Sequence, residues 1–353
     1  MLSQKNIDEA YELLRKGEAV IMPTDTVAGL FAIDTPEACE LLKSIKGRSG
    51  AKPIARMFGS RKQISERVLI TNQVQELAMQ RLLPGKVTLI FPSRNESEGT
   101  IGVRLPMDAS LRALIRRTGP LLATSANLSG EGTPEAGSIS HDMERVAHLI
   151  GAYEMSGAPL NMASTVVDLT SERPRILRKG AASIWTIARR LNATPYLPAP
   201  EAMRVLFVCG GNTCRSPMAQ AMFSSLCRED RVESESAGLS AADGETASSQ
   251  SIEVMREYSI SLDSHRSRRL SPEMVSRADV ILVMTRAHLL RIRRAHPEEA
   301  SKTFLLSGFP EPWPRGRQID DPIGRPLEVY RKTREAIKAP LGTLCKEISK
   351  FLN

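Results

Sequence analysis

One stretch limits what this chain can fold into: Arg204-Val205-Leu206-Phe207-Val208-Cys209-Gly210-Gly211-Asn212-Thr213-Cys214-Arg215-Ser216-Pro217. An apolar run ends at a cysteine, two glycines follow, and after Arg215 and Ser216 comes the helix-compatible Met218-Ala219-Gln220-Ala221-Met222-Phe223. That order reads as strand, anion-cradling loop, helix. A phosphate-sized dianion needs many donors aimed at one point. Glycines let backbone N–H groups crowd inward, the helix adds its positive end, and Arg215 can fork onto two oxygens. The same field would stabilise a thiolate at Cys209, the form that attacks phosphorus, and Ser216 would donate a hydrogen bond to the sulfur.

The pattern Cys-x-Gly-Asn-x-Cys-Arg-Ser-Pro resembles the loop of the low-molecular-weight protein tyrosine phosphatases. The resemblance implies Cys209 as nucleophile and Arg215 as phosphate ligand, with Gly211, Asn212, Thr213, Cys214 and Ser216 building the loop. It also implies a general acid in a late Asp-Pro, and Asp320-Asp321-Pro322 supplies Asp321. Tyrosine-specific members usually carry aromatic residues after Asp-Pro, whereas Ile323 and Gly324 stand here; Thr213 occupies the fourth place after the nucleophile. Both features resemble the bacterial protein arginine phosphatases of this fold and imply phosphoarginine as substrate. A rival on the same fold, arsenate reductase, needs a resolving cysteine pair, and after Cys214 only Cys227 and Cys345 remain, far apart in sequence. Cys39, Cys227 and Cys345 are expected to pack as small apolar residues. Cys214 would protect Cys209 through a reversible disulfide, which mass spectrometry after peroxide treatment would detect.

With 353 residues the chain has room for two domains, each with a core. Its net charge of +8 is shared: residues 1–200 hold 25 Lys+Arg against 20 Asp+Glu, leaving 23 against 20 for the rest. Phosphorylated small substrates account for so mild a bias as well as RNA does. No apolar run is long enough to cross a membrane, and Asp8, Glu9, Glu12 and Glu18 make the first twenty residues unlike a signal peptide, so a cytoplasmic protein is expected. Five cysteines without a regular framework argue against a disulfide-built secreted fold, and no Cys/His cluster has zinc spacing.

The first part opens with an amphipathic helix carrying Ile7, Ala10, Tyr11, Leu13 and Leu14, with Gly17 as a stop. A buried strand, Ala19-Val20-Ile21-Met22, runs into Pro23-Thr24-Asp25-Thr26-Val27. A helix over Pro36 to Ile45 delivers Lys46-Gly47-Arg48 and Lys52, cations able to grip phosphates. Pro84-Gly85-Lys86-Val87-Thr88, Val103-Arg104-Leu105-Pro106, Thr124-Ser125-Ala126-Asn127-Leu128-Ser129-Gly130, Ser164-Thr165-Val166-Val167-Asp168 and Leu177-Arg178-Lys179-Gly180 follow in order.

This succession resembles the YrdC-like family, the threonylcarbamoyl-AMP synthases, over nearly the whole segment. It implies a twisted, largely open α/β sheet around a positively charged cavity where threonine, bicarbonate and ATP are condensed to threonylcarbamoyl-AMP with release of diphosphate, for tRNA modification beside the anticodon. By motif, Thr26, Arg104 and Ser164 would hold threonine. Lys46, Arg48, Lys52, Thr100, Ser125, Asn127 and Arg178 would hold the nucleotide, with Mg²⁺ assisting. This chain departs from the family at Ala28, usually aromatic, at Lys52, commonly Asn, and at Met57, often His. The competing reading is a nucleotide- or RNA-binding module that makes no product.

Thr194-Pro195-Tyr196-Leu197-Pro198-Ala199-Pro200 follows a helix at Ile184 to Leu191 and reads as a proline-rich spacer. The expected division is therefore 1–193, a linker over 194–202, and 203–353. In the last part, strands at Val232–Gly238, Ala278–Thr285 and Thr303–Leu306 alternate with helices near Ser248–Glu257 and Pro272–Arg277. This indicates a doubly wound parallel sheet with the reactive loop at the carboxyl end of its first strand. His265 and His288 read as surface or packing residues.

Overall fold

The computed structural model describes residues 2–46, 53–126, 147–150, 162–311 and 316–353. Two compact units divide the chain, Met1–Pro195 and Tyr196–Asn353.

In the first unit, helix α1 (Gln4–Arg15) is capped by the Ser3 hydroxyl, which accepts the Asn6 N–H, and buries Ile7, Ala10 and Leu14. Strands β1 (Val20–Met22) and β2 (Gly29–Ile33) form a hairpin. Helix α2 (Pro36–Ile45) matches the expected span, because Thr35 caps it and Pro36 fills the first turn, where no N–H is needed. Then come β3 (Ala55–Met57), α3 (Arg61–Ser65), α4 (Gln73–Arg81), β4 (Val87–Pro92), β5 (Thr100–Arg104), α5 (Ala109–Thr118), β6 (Leu121–Ser125), β7 (His148–Leu149), β8 (Thr165–Asp168), β9 (Arg175–Arg178) and α6 (Ile184–Leu191).

These strands make one mixed sheet in the order β7-β1-β2-β6-β3-β5-β4-β8-β9. Side chains alternate between its faces. Val20, Met22, Phe31 and Leu121 join α1 and α5 in one core, while Ile21, Leu30 and Leu122 join α2 in another.

The second unit holds β10 (Met203–Cys209), α7 (Arg215–Leu226), β11 (Val232–Gly238), α8 (Ser249–Arg256), α9 (Pro272–Arg277), β12 (Val280–Val283), α10 (Arg286–Ala295), β13 (Thr303–Leu305) and α11 (Leu327–Leu352). All pairings are parallel, in the order β11-β10-β12-β13. Leu206, Val208, Ile281 and Val283 face α9 and α10, whereas Phe207 meets Phe223 of α7 on the other side. The sheet is thus doubly wound. Neighbours of β10 lie on both sides, so its carboxyl end is the switch point where such folds place ligands.

Two expectations need revision. Cys227 and Cys345 do not pack as separate small residues: they form a disulfide, with Cα atoms 5.5 Å apart, between the end of α7 and the last turns of α11. Residues 196–202, expected as spacer, lie against the second unit. Leu197 is fully buried, its N–H donates to Phe351 O at 2.6 Å, and its carbonyl accepts from Arg231.

Candidate active sites

In the first unit the Pro-Thr-Asp-Thr turn is closed by Thr24. Its hydroxyl accepts the Thr26 N–H at 3.1 Å and donates to Val27 O at 2.6 Å. Arg104, at the end of β5, points its Nη2 into this turn, reaching Asp25 Oδ1 and Thr26 Oγ1, both at 2.5 Å. The other Asp25 oxygen accepts the Met107 N–H. Arg104 is 8% exposed, and its Nε–H is buried with no partner. A buried guanidinium already neutralised by one carboxylate therefore keeps an unused donor, and leaving it unmet is costly.

Arg104 lines a cavity of about 290 Å³, together with Thr100, Ser125, Ser164 and Arg178. Ser164 shares a hydrogen bond with Thr88 at 2.8 Å, and Arg178 donates to Ser164 O through both Nε and Nη2. Gly180 permits this approach, since a Cβ there would sit 2.6 Å from the Ser164 carbonyl carbon. Lys46 is buried and donates from Nζ to Ser125 O at 2.7 Å, bringing the end of α2 to the end of β6. Ala28 and Met57 also line the cavity. Thr26, Lys46, Thr100, Arg104, Ser125, Ser164 and Arg178 thus converge through the cavity wall and the bonds behind it; Arg48, Lys52 and Asn127 lie outside the described residues. Asp25 was not among the expected site residues, because its role appears only when Arg104, 79 positions away, folds against it.

In the second unit the loop after β10 is organised by Asn212, fully buried and left-handed at φ 58°. Its backbone N–H donates to Cys209 Sγ at 3.3 Å. Its side-chain amide donates to Ser216 Oγ at 2.9 Å and Ser236 Oγ at 3.0 Å, while Oδ1 accepts the Arg268 N–H. Ser216 Oγ accepts from Asn212, which frees its own proton for Cys209 Sγ at 3.0 Å, nearer than Ala237 O at 3.3 Å.

Arg215 is 4% exposed. It donates from Nη1 to Ile319 O at 3.1 Å and from Nη2 to Asp321 Oδ2, while its Nε is buried without a partner. Cys209, Arg215 and Asp321, the residues expected to act together, are therefore brought to one place at the carboxyl end of β10. Cys214 is buried against Ser248 Oγ at 3.4 Å and Tyr330 OH at 3.7 Å, and Thr213 Oγ1 lies 3.7 Å from its sulfur. Gly238 gives the loop its room, since a Cβ there would meet Gly210 O at 2.7 Å and Asn212 N at 2.9 Å.

Both histidines are half-buried packing residues beside the loop. His265 Nε2 pairs with Asn212 O at 2.7 Å, so it braces the loop, and burial holds its pKa below the ordinary value. His288 is depressed to about 4 by burial first and then by the Arg215 charge. No local signal marks the His265 contact, because Asn212 lies on another element. The Cys227–Cys345 disulfide sits at the far end of α7. Twelve helical residues span roughly 18 Å, so it is no resolving pair for Cys209.

Comparison with known proteins matches the two parts of the chain to two different families. The profile of the Sua5/YciO/YrdC family, described under telomere recombination, matches residues 12–180, and that of the low molecular weight phosphotyrosine protein phosphatases matches residues 204–352. A Mycobacterium leprae protein provisionally named threonylcarbamoyl-AMP synthase is 33% identical over 201 residues, 54% of this chain and 90% of that one. A protein-arginine-phosphatase from Geobacillus stearothermophilus is 39% identical over 145 residues, 41% of this chain and 95% of its own. A Ralstonia nicotianae protein named as a probable low molecular weight protein-tyrosine-phosphatase, EpsP, is 36% identical over 38% of this chain and 88% of its own length. The chain belongs to the Sua5/YciO/YrdC family in its first part and to the low molecular weight phosphotyrosine protein phosphatases in its second.

Proposed function

We propose that the chain is bifunctional. The first unit makes L-threonylcarbamoyl-AMP from threonine, bicarbonate and ATP for tRNA N6-threonylcarbamoyladenosine formation. The second hydrolyses phosphorylated proteins, with phosphoarginine preferred over phosphotyrosine, in the cytoplasm. One observation carries the reading: each unit presents a deeply buried arginine, Arg104 or Arg215, whose Nε–H lacks a partner beside residues suited to hold an anion.

In the first site the threonine carboxylate takes the free edge of Arg104, with Thr26 and Ser164 beside it. Lys46, Ser125 and Arg178, with Arg48, Lys52, Thr100 and Asn127, serve the nucleotide. Attack of the threonyl carbamate oxygen on the α-phosphate expels diphosphate and needs positioning and charge neutralisation more than a side-chain nucleophile. Mg²⁺ would enter on the phosphates of ATP, as part of the substrate. The protein's partners in this pathway are tRNA or the proteins that modify it.

In the second site the Cys209 thiolate attacks phosphorus, Asp321 protonates the leaving atom, and water cleaves the phosphocysteine. The phosphoarginine preference is supported by Thr213 at the loop and by Ile323, 63% exposed, where tyrosine-specific enzymes carry rings. The likeness to a protein-arginine-phosphatase supports it too.

The test is diphosphate release from ATP that depends on threonine and bicarbonate, run beside phosphatase assays. No threonine-dependent release would leave the first unit as a nucleotide- or RNA-binding module. Comparing phosphoarginine with phosphotyrosine turnover in wild type and Thr213→Ile checks specificity, and an unchanged ratio refutes it.

A further inference from the structure

We infer that His288 is a positioning residue for the acid Asp321, receiving it when a phosphoryl group takes Arg215. The inference rests on the phosphatase reading above.

Helix α10 begins beside the acid. Arg286 N–H donates to Gln318 Oε1 at 3.0 Å, Ile319 N–H donates to Met284 O at 2.9 Å, and Ile319 O accepts from Arg215. Three residues beyond His288, on the same face of the helix, Arg291 donates to Ser240 Oγ at 3.1 Å and Leu239 O at 3.2 Å. The N–H groups of Leu239 and Ser240 in turn hold Cys209 O and Gly210 O. His288 therefore lies between two anchors that both reach the phosphate loop. Its backbone N–H is satisfied by Thr285, but its Nδ1 is buried with no partner. Arg215, Asp321 and Arg291 are among the charges near enough to act on its ring.

Asp321 is paired with Arg215 in this structure. A bound phosphoryl dianion competes for that guanidinium, and the displaced Asp321 must then carry a proton and aim it at the leaving atom. A neutral imidazole donating from Nδ1 to one Asp321 oxygen fixes the carboxyl group and leaves the other oxygen for the acid proton. An imidazolium would hold Asp321 ionised and defeat the step. During the step the sulfur–phosphorus bond forms and the bond from phosphorus to the leaving atom breaks. The Asp321 proton goes to the leaving atom, and His288 gains and loses nothing.

A leaving-group series on the full chain tests this, reading kcat/KM, which reports the thiolate attack. His288→Leu should lower kcat/KM about tenfold for phenyl phosphate, whose leaving group needs the acid, and less than about twofold for 2,4-dinitrophenyl phosphate, whose leaving group does not. Asn carries an amide near the Nδ1 position and should restore phenyl phosphate turnover, whereas Gln, with its amide near Nε2, should not. This Asn and Gln pair decides the matter even if the Leu variant does not fold. Equal losses on both substrates, equal behaviour of Asn and Gln, or no loss at all would overturn the inference. A wild type inert on aryl phosphates and phosphoarginine would remove the phosphatase reading itself, and this inference with it.

Discussion

Reducing the Cys227–Cys345 bond should cost the second unit several kcal/mol while leaving its chemistry intact. The bond closes a loop of 118 positions, and the chain-entropy relation gives about 16 cal/mol/K removed from the unfolded ensemble, or about 5 kcal/mol at about 25 °C. With an urea m-value of about 2 kcal/mol/M, the unfolding midpoint should fall by roughly 2.5 M in Cys345→Ser or in reductant. Arg215 and Ser216 are held at the opposite end of α7 by Asn212, Ile319 and Asp321, contacts that do not involve the disulfide. Turnover before the transition should therefore stay within about twofold. Circular dichroism of oxidised, reduced and Cys345→Ser protein in urea gives the midpoints, and thiol titration in denaturant counts free sulfurs. Five titratable thiols without reductant, or coincident midpoints, would refute the reasoning.

Other outcomes follow from single contacts. Gly238→Ala drives a methyl group into Gly210 O and Asn212 N, so phosphatase kcat/KM should fall by about 100-fold while threonine-dependent diphosphate release is unchanged. Asp25→Ala strands the buried Arg104 charge, and urea unfolding should show the first unit weakened by about 3 kcal/mol. His288 binds a proton at about 6.5 when unfolded but only at about 4 when folded, so the unfolded state gains protons first on acidification. Stability should be level above 6.5, fall between 6.5 and 4, and lose nothing more from this group below that. Urea midpoints of wild type and His288→Asn across this range check it, since only the wild type carries the imidazole share of the loss.

Local rules were enough for elements whose partners lie nearby. Thr35 and Pro36 announce α2, and Cys209 followed by glycines and Arg215-Ser216-Pro217 announces the β10–α7 junction, because capping and loop chemistry are written in adjacent residues. The long closing helix α11 was not expected. Its buried residues Tyr330, Ile337, Leu341, Leu344 and Ile348 have helical spacing, but Pro340 in their midst reads as a stop. Strand β7, two residues long, offers no period to detect. Of the sites, the residues carried by short motifs were legible. The pairings of Asp25 with Arg104, His265 with Asn212 and Cys227 with Cys345 were not, since each joins segments whose spacing carries no periodic trace.

Where the second unit begins, Leu197 donates to Phe351 O, and Arg231 bonds both Leu197 O and Leu352 O. The start and finish of that module thus meet at one seam, sealed from inside by a shared guanidinium. A domain whose two ends are neighbours is topologically close to a ring. It can be grafted onto a carrier through either end, or cut open elsewhere and rejoined at the seam, with little strain on the phosphate loop at the opposite end of β10.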